Sequence, residues 1–205
     1  MIEQVIPNSK FVSQTPGNCL DACEEIVKKS GYTHDRNDVL IMICNVDGDD
    51  FDYHRDCLKK GIELIDQHLE AGMPIIVGVD YKSGSANFDK ITDHWIVIIA
   101  RGVDENGVFY RYFEVGQEKD DGILVTNKIY LKENGLLKGN CTCNHKYSDY
   151  WVTMVRPCTN DYCKCCGRAI FEGWSQLEKR KKQCLVTDGF YNNQREKTQN
   201  KLSRQ

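Results

Sequence analysis

The run His94-Trp-Ile-Val-Ile-Ile-Ala100 constrains the fold of this chain more than any other stretch. Its apolar and β-branched residues favour a buried strand. Asp104-Glu-Asn-Gly107 then has the composition of a hairpin turn, and residues 108–115 form a second β-prone run. The sequence therefore predicts an antiparallel hairpin that brings the neighbourhood of Glu114 beside His94.

Other periodic and apolar segments predict further strands and several helices. Additional strands are expected at 75–79, 123–131 and 150–155, in the same sheet as the hairpin. Helices are expected over residues 19–29, 36–45 and 53–72, the last with a buried stripe of Leu58, Ile62, Ile65 and Leu69. Residues 80–93, rich in Gly, Ser, Asn and Lys, predict a surface loop.

Length and charge exclude some classes of function. The chain has 205 residues and a formal net charge of -3, which favours one main domain and gives no bulk electrostatic footprint for nucleic acid. Its N-terminus lacks the pattern of a signal peptide, and no apolar run is long enough to span a membrane. We therefore expect a soluble protein that is cytoplasmic or is exported without a cleavable signal.

A cysteine stands where a turn is predicted to become a helix. Pro16 and Gly17 favour the turn, Asn18 is a candidate N-cap, and Cys19 falls in the first helical turn. Unpaired amides and the positive end of the helix dipole favour a thiolate at that position. Cys23, one turn later, is expected to point into the core, where a thiol is inert. Cys19 is therefore the predicted nucleophile.

The predicted hairpin supplies partners for this thiol. His94 opens an apolar strand directly after a polar loop and is the candidate base, whereas His34, His54 and His68 are interpreted as surface residues. Glu114 is expected to orient the imidazole, with Gln117 as the alternative for that role. Gln14 precedes Cys19 by five residues, so its side-chain amide is a candidate donor to an oxyanion.

This order of residues resembles a known enzyme family. Gln14, Cys19 at a helix start, the Gly72-Met-Pro74 entry into a strand and Asp93-His94-Trp95 look like the papain-like cysteine peptidases, closest to the C39-like branch of bacteriocin-processing peptidases. The resemblance covers roughly residues 10–117, with Leu20 where that branch usually has Gly, and Glu114 before Val where it usually has Asp before Pro. It implies an α+β fold in which N-terminal helices pack on an antiparallel sheet.

The resemblance also implies a chemistry. Cys19 would attack the carbonyl of a peptide, isopeptide or side-chain amide bond, His94 would protonate the leaving amine, and water would release the acyl group. The expected partner is a peptide or protein substrate, and catalysis would need no cofactor. The alternative is a non-catalytic, zinc-stabilised interaction module on a papain-like scaffold.

The chain contains eleven cysteines, several of them near its end. Cys163 and Cys166 form a C-x-x-C-G-R turn, and Cys141 and Cys143 form a second pair, so together they are candidate ligands of a structural zinc ion. Free thiols or disulfides are the alternatives. We divide the chain into a catalytic domain over 1–157, a cysteine-rich extension over 158–191 and a polar, disordered tail over 192–205.

Overall fold

Short strands and a few helices make up the part of the chain that the computed structural model describes, which comprises residues 1–36, 38–47, 50–52, 55–81, 92–140, 149–158, 161–162 and 169–170. The helices are α1 (Cys19–Lys29), α2 (Arg55–Glu70) and α3 (Lys119–Gly122), with a 3-10 turn at Asn8–Lys10. The strands are β1 (Leu40–Ile41), β2 (Cys44–Asp47), β3 (Asp50–Asp52), β4 (Ile75–Asp80), β5 (His94–Asp104), β6 (Gly107–Phe113), β7 (Lys128–Leu131), β8 (Leu137–Asn140), β9 (Asp149–Arg156), β10 (Asp161–Tyr162) and β11 (Ala169–Ile170).

The strands from β4 to β9 close into a six-stranded antiparallel barrel. Each strand pairs with the next along the ring from β4 to β8. The ring closes because β9 pairs with β4 along one edge, while its other edge pairs with β8 at residues 149–151 and with β1 at residues 154–155. Closure leaves these six strands with few unpaired backbone groups.

Alternate side chains of the barrel strands point to opposite faces of the sheet and belong to two separate apolar clusters. The interior cluster takes buried side chains from all six barrel strands and includes the stripe Leu58, Leu64, Ile65 and Leu69 of α2. The outer cluster joins α1 to the opposite face of the hairpin, where Cys23, Ile26 and Val27 pack with Trp95 and Val97. This packing on β5 sets the N-terminus of α1 beside the start of that strand.

The expected papain-like α+β fold, with N-terminal helices packed on an antiparallel sheet, is wrong. The molecule is mostly β, and β9 closes its sheet into a barrel. The predicted helix over residues 36–45 is also wrong, because β1 and the start of β2 occupy that segment. An apolar run of that length suits a short buried helix or strands equally well, and pairing with β9 makes Leu40 and Ile41 a strand.

Several local predictions are confirmed. β4, β5, β6 and β9 cover the predicted strands at 75–79, 94–100, 108–115 and 150–155, apart from the last two residues of the third. Asp104 pairs with Gly107, whose positive φ of 108° suits the tight hairpin turn. The strand predicted over 123–131 is confirmed only at 128–131. Most of the cysteine-rich extension and all of the 192–205 tail lie outside the described residues.

Candidate active site

The turn before α1 delivers Cys19 to the first residue of the helix. Gly17 has a positive φ of 82°, and the amide of Asn18 donates to the carbonyl of Thr15. Asn18 occupies the N-cap position as expected, but its side chain makes no capping hydrogen bond, and its Nδ2 donates to Oγ1 of Thr15 at 3.0 Å. The first-turn amides are therefore not satisfied by this side chain, and the amide of Leu20 helps to lower the pKa of the Cys19 thiol.

His94 is the first residue of β5 and is buried. It pairs with Val79 of β4 and lies on the same alternation as Ile96 and Ile98, which face the barrel interior. Its Nε2 is 2.6 Å from Oε1 of Glu114. Because Nε2 is engaged in this way, Nδ1 is the ring nitrogen left for the Cys19 thiol, with which the imidazole also interacts.

Glu114 follows the end of β6 and is fully buried. Besides His94, two groups donate to its carboxylate: Tyr150 Oη reaches Oε2 at 2.8 Å, and the amide of Gly116 reaches Oε1 at 2.8 Å. With Nε2 of His94, these donors fix the orientation of the carboxylate. Glu114, rather than the alternative Gln117, is the residue that bonds Nε2 of the imidazole.

The electrostatics favour a charged pair. Burial raises the pKa of the Cys19 thiol, but the hydrogen bond to His94, the charge of that ring and the amides of Trp95 and Leu20 outweigh it, so the pKa lies below its ordinary value. Burial lowers the pKa of His94, whereas its bonds to Cys19 and Glu114 and their negative charges raise it to about 10. The arrangement favours thiolate and imidazolium together near neutral pH.

Gln14 lies next to this group of side chains. Its backbone amide donates to the carbonyl of Val115 at 2.7 Å, and Oγ of the neighbouring Ser13 donates to the carbonyl of Gln117 at 2.6 Å. The segment before α1 is thus tied to the segment that follows Glu114. Within the described part of the chain, Oε1 of Gln14 is buried and has no hydrogen-bond partner.

The other sequence candidates have different surroundings. Cys23 is completely buried, and burial together with the charge of Cys19 raises its pKa well above the ordinary value. The prediction that His68 and His34 are surface residues is wrong: His68 is buried against Leu64 and Cys158, and the ring of His34 is buried beside Glu24 at 3.0 Å. His54 lies outside the described residues.

A buried carboxyl group anchors the segment that leads into His94. Oδ1 of Asp80 accepts the amide of Asp93 at 3.3 Å, and Oδ2 accepts the hydroxyls of Thr92, at 3.2 Å, and Thr153. Burial raises the pKa of Asp80 to about 6, although the hydroxyl of Thr153 opposes the shift. This network fixes the two residues that immediately precede the imidazole.

Comparisons with known proteins assign no family to the chain: no family model, curated protein or solved structure matches it significantly. The predicted zinc ligands Cys141, Cys143, Cys163 and Cys166 lie outside the described residues, and within those residues no three possible ligands gather around a metal position. Among the helices described here, none combines the length and the apolarity needed to cross a membrane.

Sequence reasoning missed two residues of the site. Tyr150 reaches Glu114 from β9, at a separation of 36 residues, and nothing in its local sequence distinguishes it from other strand tyrosines. Gly116 could have been noticed, because it follows the strand that carries the acidic residue. A Cβ at Gly116 would lie 2.9 Å from Oε1 of Glu114, so a larger residue would crowd the carboxylate.

Proposed function

We propose that this protein is a cysteine-dependent hydrolase that cleaves a peptide, isopeptide or side-chain amide bond through a thioester acyl-enzyme. The observation that carries the proposal is the single imidazole of His94, which is hydrogen-bonded to the Glu114 carboxylate and interacts electrostatically with the Cys19 thiol. Burying a histidine and a glutamate is costly unless the two are paired and hydrogen-bonded, as they are at this site. Shifted pKa values in such a group are typical of catalytic sites.

The reaction begins at the Cys19 thiolate. A bond forms from Sγ to the carbonyl carbon, and the carbonyl π electrons move to the oxygen. When the carbonyl re-forms, the bond to the amine breaks, and the imidazolium of His94 gives its proton to the departing nitrogen. The acyl group is then held as a thioester. Neutral His94 takes a proton from water, the hydroxide displaces Sγ, and the thiolate and imidazolium are restored.

We expect two groups to stabilise the oxyanion. The backbone amide of Cys19 lies at the start of α1, where amides lack partners inside the helix. Gln14 is tethered beside the site through Val115, and its side-chain amide is the second donor. Loss of one such donor commonly lowers kcat by about a hundredfold to a thousandfold. Gln14→Ala should therefore lower turnover more than it lowers alkylation of the thiol.

Alkylation tests the nucleophile without a known substrate. At pH 6.5, iodoacetamide should label Cys19 before Cys57, which is also partly exposed but whose pKa is raised by burial. Mass spectrometry of the labelled protein identifies the residue. Cys19→Ala should abolish the fast phase, whereas Cys57→Ala and Cys23→Ala should keep it. If Cys19 reacts no faster than Cys57, Cys19 is not an activated thiol and the proposal fails.

Hydrolysis requires a separate test. The wild-type protein and Cys19→Ala are incubated with libraries of linear peptides, isopeptide-linked peptides and peptides rich in Gln and Asn. New termini or released ammonia are read by mass spectrometry. Products that form only with the wild type support the proposal and identify the bond. If the wild type gives no product from any library although Cys19 is reactive, hydrolase activity is refuted.

A further inference from the structure

A groove with a volume of about 860 Å³ lies on the outer face of β6, β7 and β8. Tyr110 and Ile129 belong to the interior cluster, so their neighbours along β6 and β7 face outward. Phe109, Tyr130 and Lys138 form a row across the three strands. None of the residues around Cys19 lines this groove, which makes it a separate site.

The groove carries an excess of positive charge. Arg111, Lys128, Lys132 and Lys138 line it, together with the acidic Asp149. Lys128 is paired with Asp104 at 2.7 Å, and Lys138 with Asp149 at 3.2 Å. This local excess stands out in a chain whose net charge is -3.

Two of these four cations have no carboxylate partner in the described part of the chain. Arg111 donates only to neutral oxygens, those of Gln4 at 2.8 Å and of the Ile123 carbonyl at 2.9 Å. Lys132 is exposed, and its Nζ lies 5.4 Å from the centre of the Tyr130 ring. An anion in the groove would therefore meet charges that are not already neutralised.

Aromatic rings form the remainder of the surface. Phe109 and Tyr130 lie side by side, with ring centroids 6.2 Å apart, and a lysine ammonium lies over each ring. Lys132 is exposed and contacts the Tyr130 ring only through a cation–π interaction. A change of its rotamer would therefore expose the face of Tyr130 to a planar group. The displaced ammonium would then stand beside a bound anion.

We propose that this groove binds a nucleotide, with the base stacked on Tyr130 and the phosphate held by Arg111 and Lys132. Aromatic rings beside basic side chains are the pairing that nucleotide stacking requires. The groove has the size of a small-ligand site, and the acidic character of the whole chain disfavours a long polyanion. The ligand is a free nucleotide or one nucleotide unit of a single strand, and the experiment separates these sources.

Calorimetric titration of the full chain tests the proposal with a nucleoside triphosphate, the nucleoside, pyrophosphate, a ten-nucleotide RNA and a ten-residue glutamate peptide. The nucleotide should bind saturably, and the nucleoside and pyrophosphate should each bind at least about tenfold more weakly, since each lacks one recognised part. If RNA binds more tightly than the triphosphate and competes with it, the ligand is a strand. If RNA binds no more tightly, the ligand is the free nucleotide.

Substitutions locate the binding surface. Lys132→Gln and Tyr130→Leu should each weaken nucleotide binding by about fivefold to tenfold, through loss of a charge contact and of the stacking surface respectively. Lys59→Gln, at an exposed lysine of α2, is the matched control and should bind as the wild type does. Thermal melting of each variant shows that its fold is retained. The rate of Cys19 alkylation should not change in any of them.

Three results would overturn the nucleotide assignment. The first is the absence of saturable binding by either the triphosphate or RNA. The second is equal affinity for pyrophosphate or for the glutamate peptide, which would mean that the groove binds anions without recognising a ring. The third is unchanged nucleotide affinity in folded Lys132→Gln and Tyr130→Leu, which would place binding elsewhere.

Discussion

Replacing Glu114 with glutamine removes one negative charge from a buried pair and keeps the shape of the side chain. Oε1 of Glu114 lies 2.6 Å from Nε2 of His94, and both side chains are buried. The charge of each group is shared between two atoms, so the distance between charge centres matters. Two opposite unit charges whose centres lie about 4 Å apart attract each other by about 4 kcal/mol at an effective dielectric constant of about 20. That free energy corresponds to about three pH units in the pKa of His94, which the intact site raises to about 10.

The lower pKa of His94 in turn changes the pKa of Cys19. A neutral imidazole no longer stabilises the thiolate, so burial prevails and the pKa of the Cys19 thiol rises. Thiolate is then formed only at higher pH, and the rate of alkylation at pH 7 falls. The interaction energy sets a ceiling of about a thousandfold, and because the glutamine oxygen still accepts the bond from His94, we expect a loss of about a hundredfold.

The assay is the rate of iodoacetamide modification of Cys19 between pH 5 and pH 10. The wild-type rate should rise at a pH below that of an ordinary cysteine, because the pKa of Cys19 is lowered. In Glu114→Gln the same rise should move to higher pH. Glu63→Gln, on the exposed face of α2, is the control and should follow the wild type. If folded Glu114→Gln gives the wild-type profile, the carboxylate does not sustain the charged pair and the reasoning fails.

Three further substitutions test the supporting structure. Gly116→Ala should slow alkylation of Cys19 about tenfold, because the new Cβ lies 2.9 Å from Oε1 of Glu114 and must displace it; an unchanged rate would contradict this. The pKa of Asp80 is raised to about 6, so its proton stabilises the folded state at low pH and that stabilisation is lost as the pH rises through about 6. In urea titrations, the free energy of unfolding of the wild type should fall relative to Asp80→Asn by about 2 kcal/mol between pH 4 and pH 7, and parallel curves would refute this. Gly61→Ala should cost about 1 to 3 kcal/mol of unfolding free energy, because its Cβ would lie 2.4 Å from Sδ of Met42, and the cost should shrink in a Met42→Ala background.

Local patterns were sufficient to predict the histidine and its acidic partner. The turn at Asp104 and Gly107 sets the register of the hairpin as far as Ala100, and a one-residue shift between Ile98 and Ala100 then pairs Val97 with Phe113. One step further, Glu114 falls opposite Ile96, on the face that also carries His94. The two-residue turn brings the two residues to the same end of the hairpin within about twenty residues of chain, so short-range rules predict that they are close. The one-residue shift between Ile98 and Ala100, which sets their exact pairing, has no comparable signal in the sequence.

Barrel closure could not be predicted in the same way. β9 pairs with β4 although four strands separate them along the chain, and its own alternation does not identify its partners. The segment at 36–45 illustrates the same limit, since pairing with β9 makes Leu40 and Ile41 a strand. Long-range pairing overrode local preference in both places.

The closed barrel is not the fold implied by the family resemblance that suggested the chemistry. Cys19 comes from a helix on the outer face, whereas His94 and Glu114 lie on the interior face, and the groups meet where β5 begins. His94 therefore interacts with both Cys19 and Glu114 in an architecture that differs from the one expected, as a site is not tied to one fold. Tyr150 makes the site depend on closure, because it reaches Glu114 from the strand that seals the barrel. If the bond from Tyr150 orients the carboxylate, Tyr150→Phe should slow Cys19 alkylation less than Glu114→Gln does, since it removes a neutral donor and leaves the charge in place.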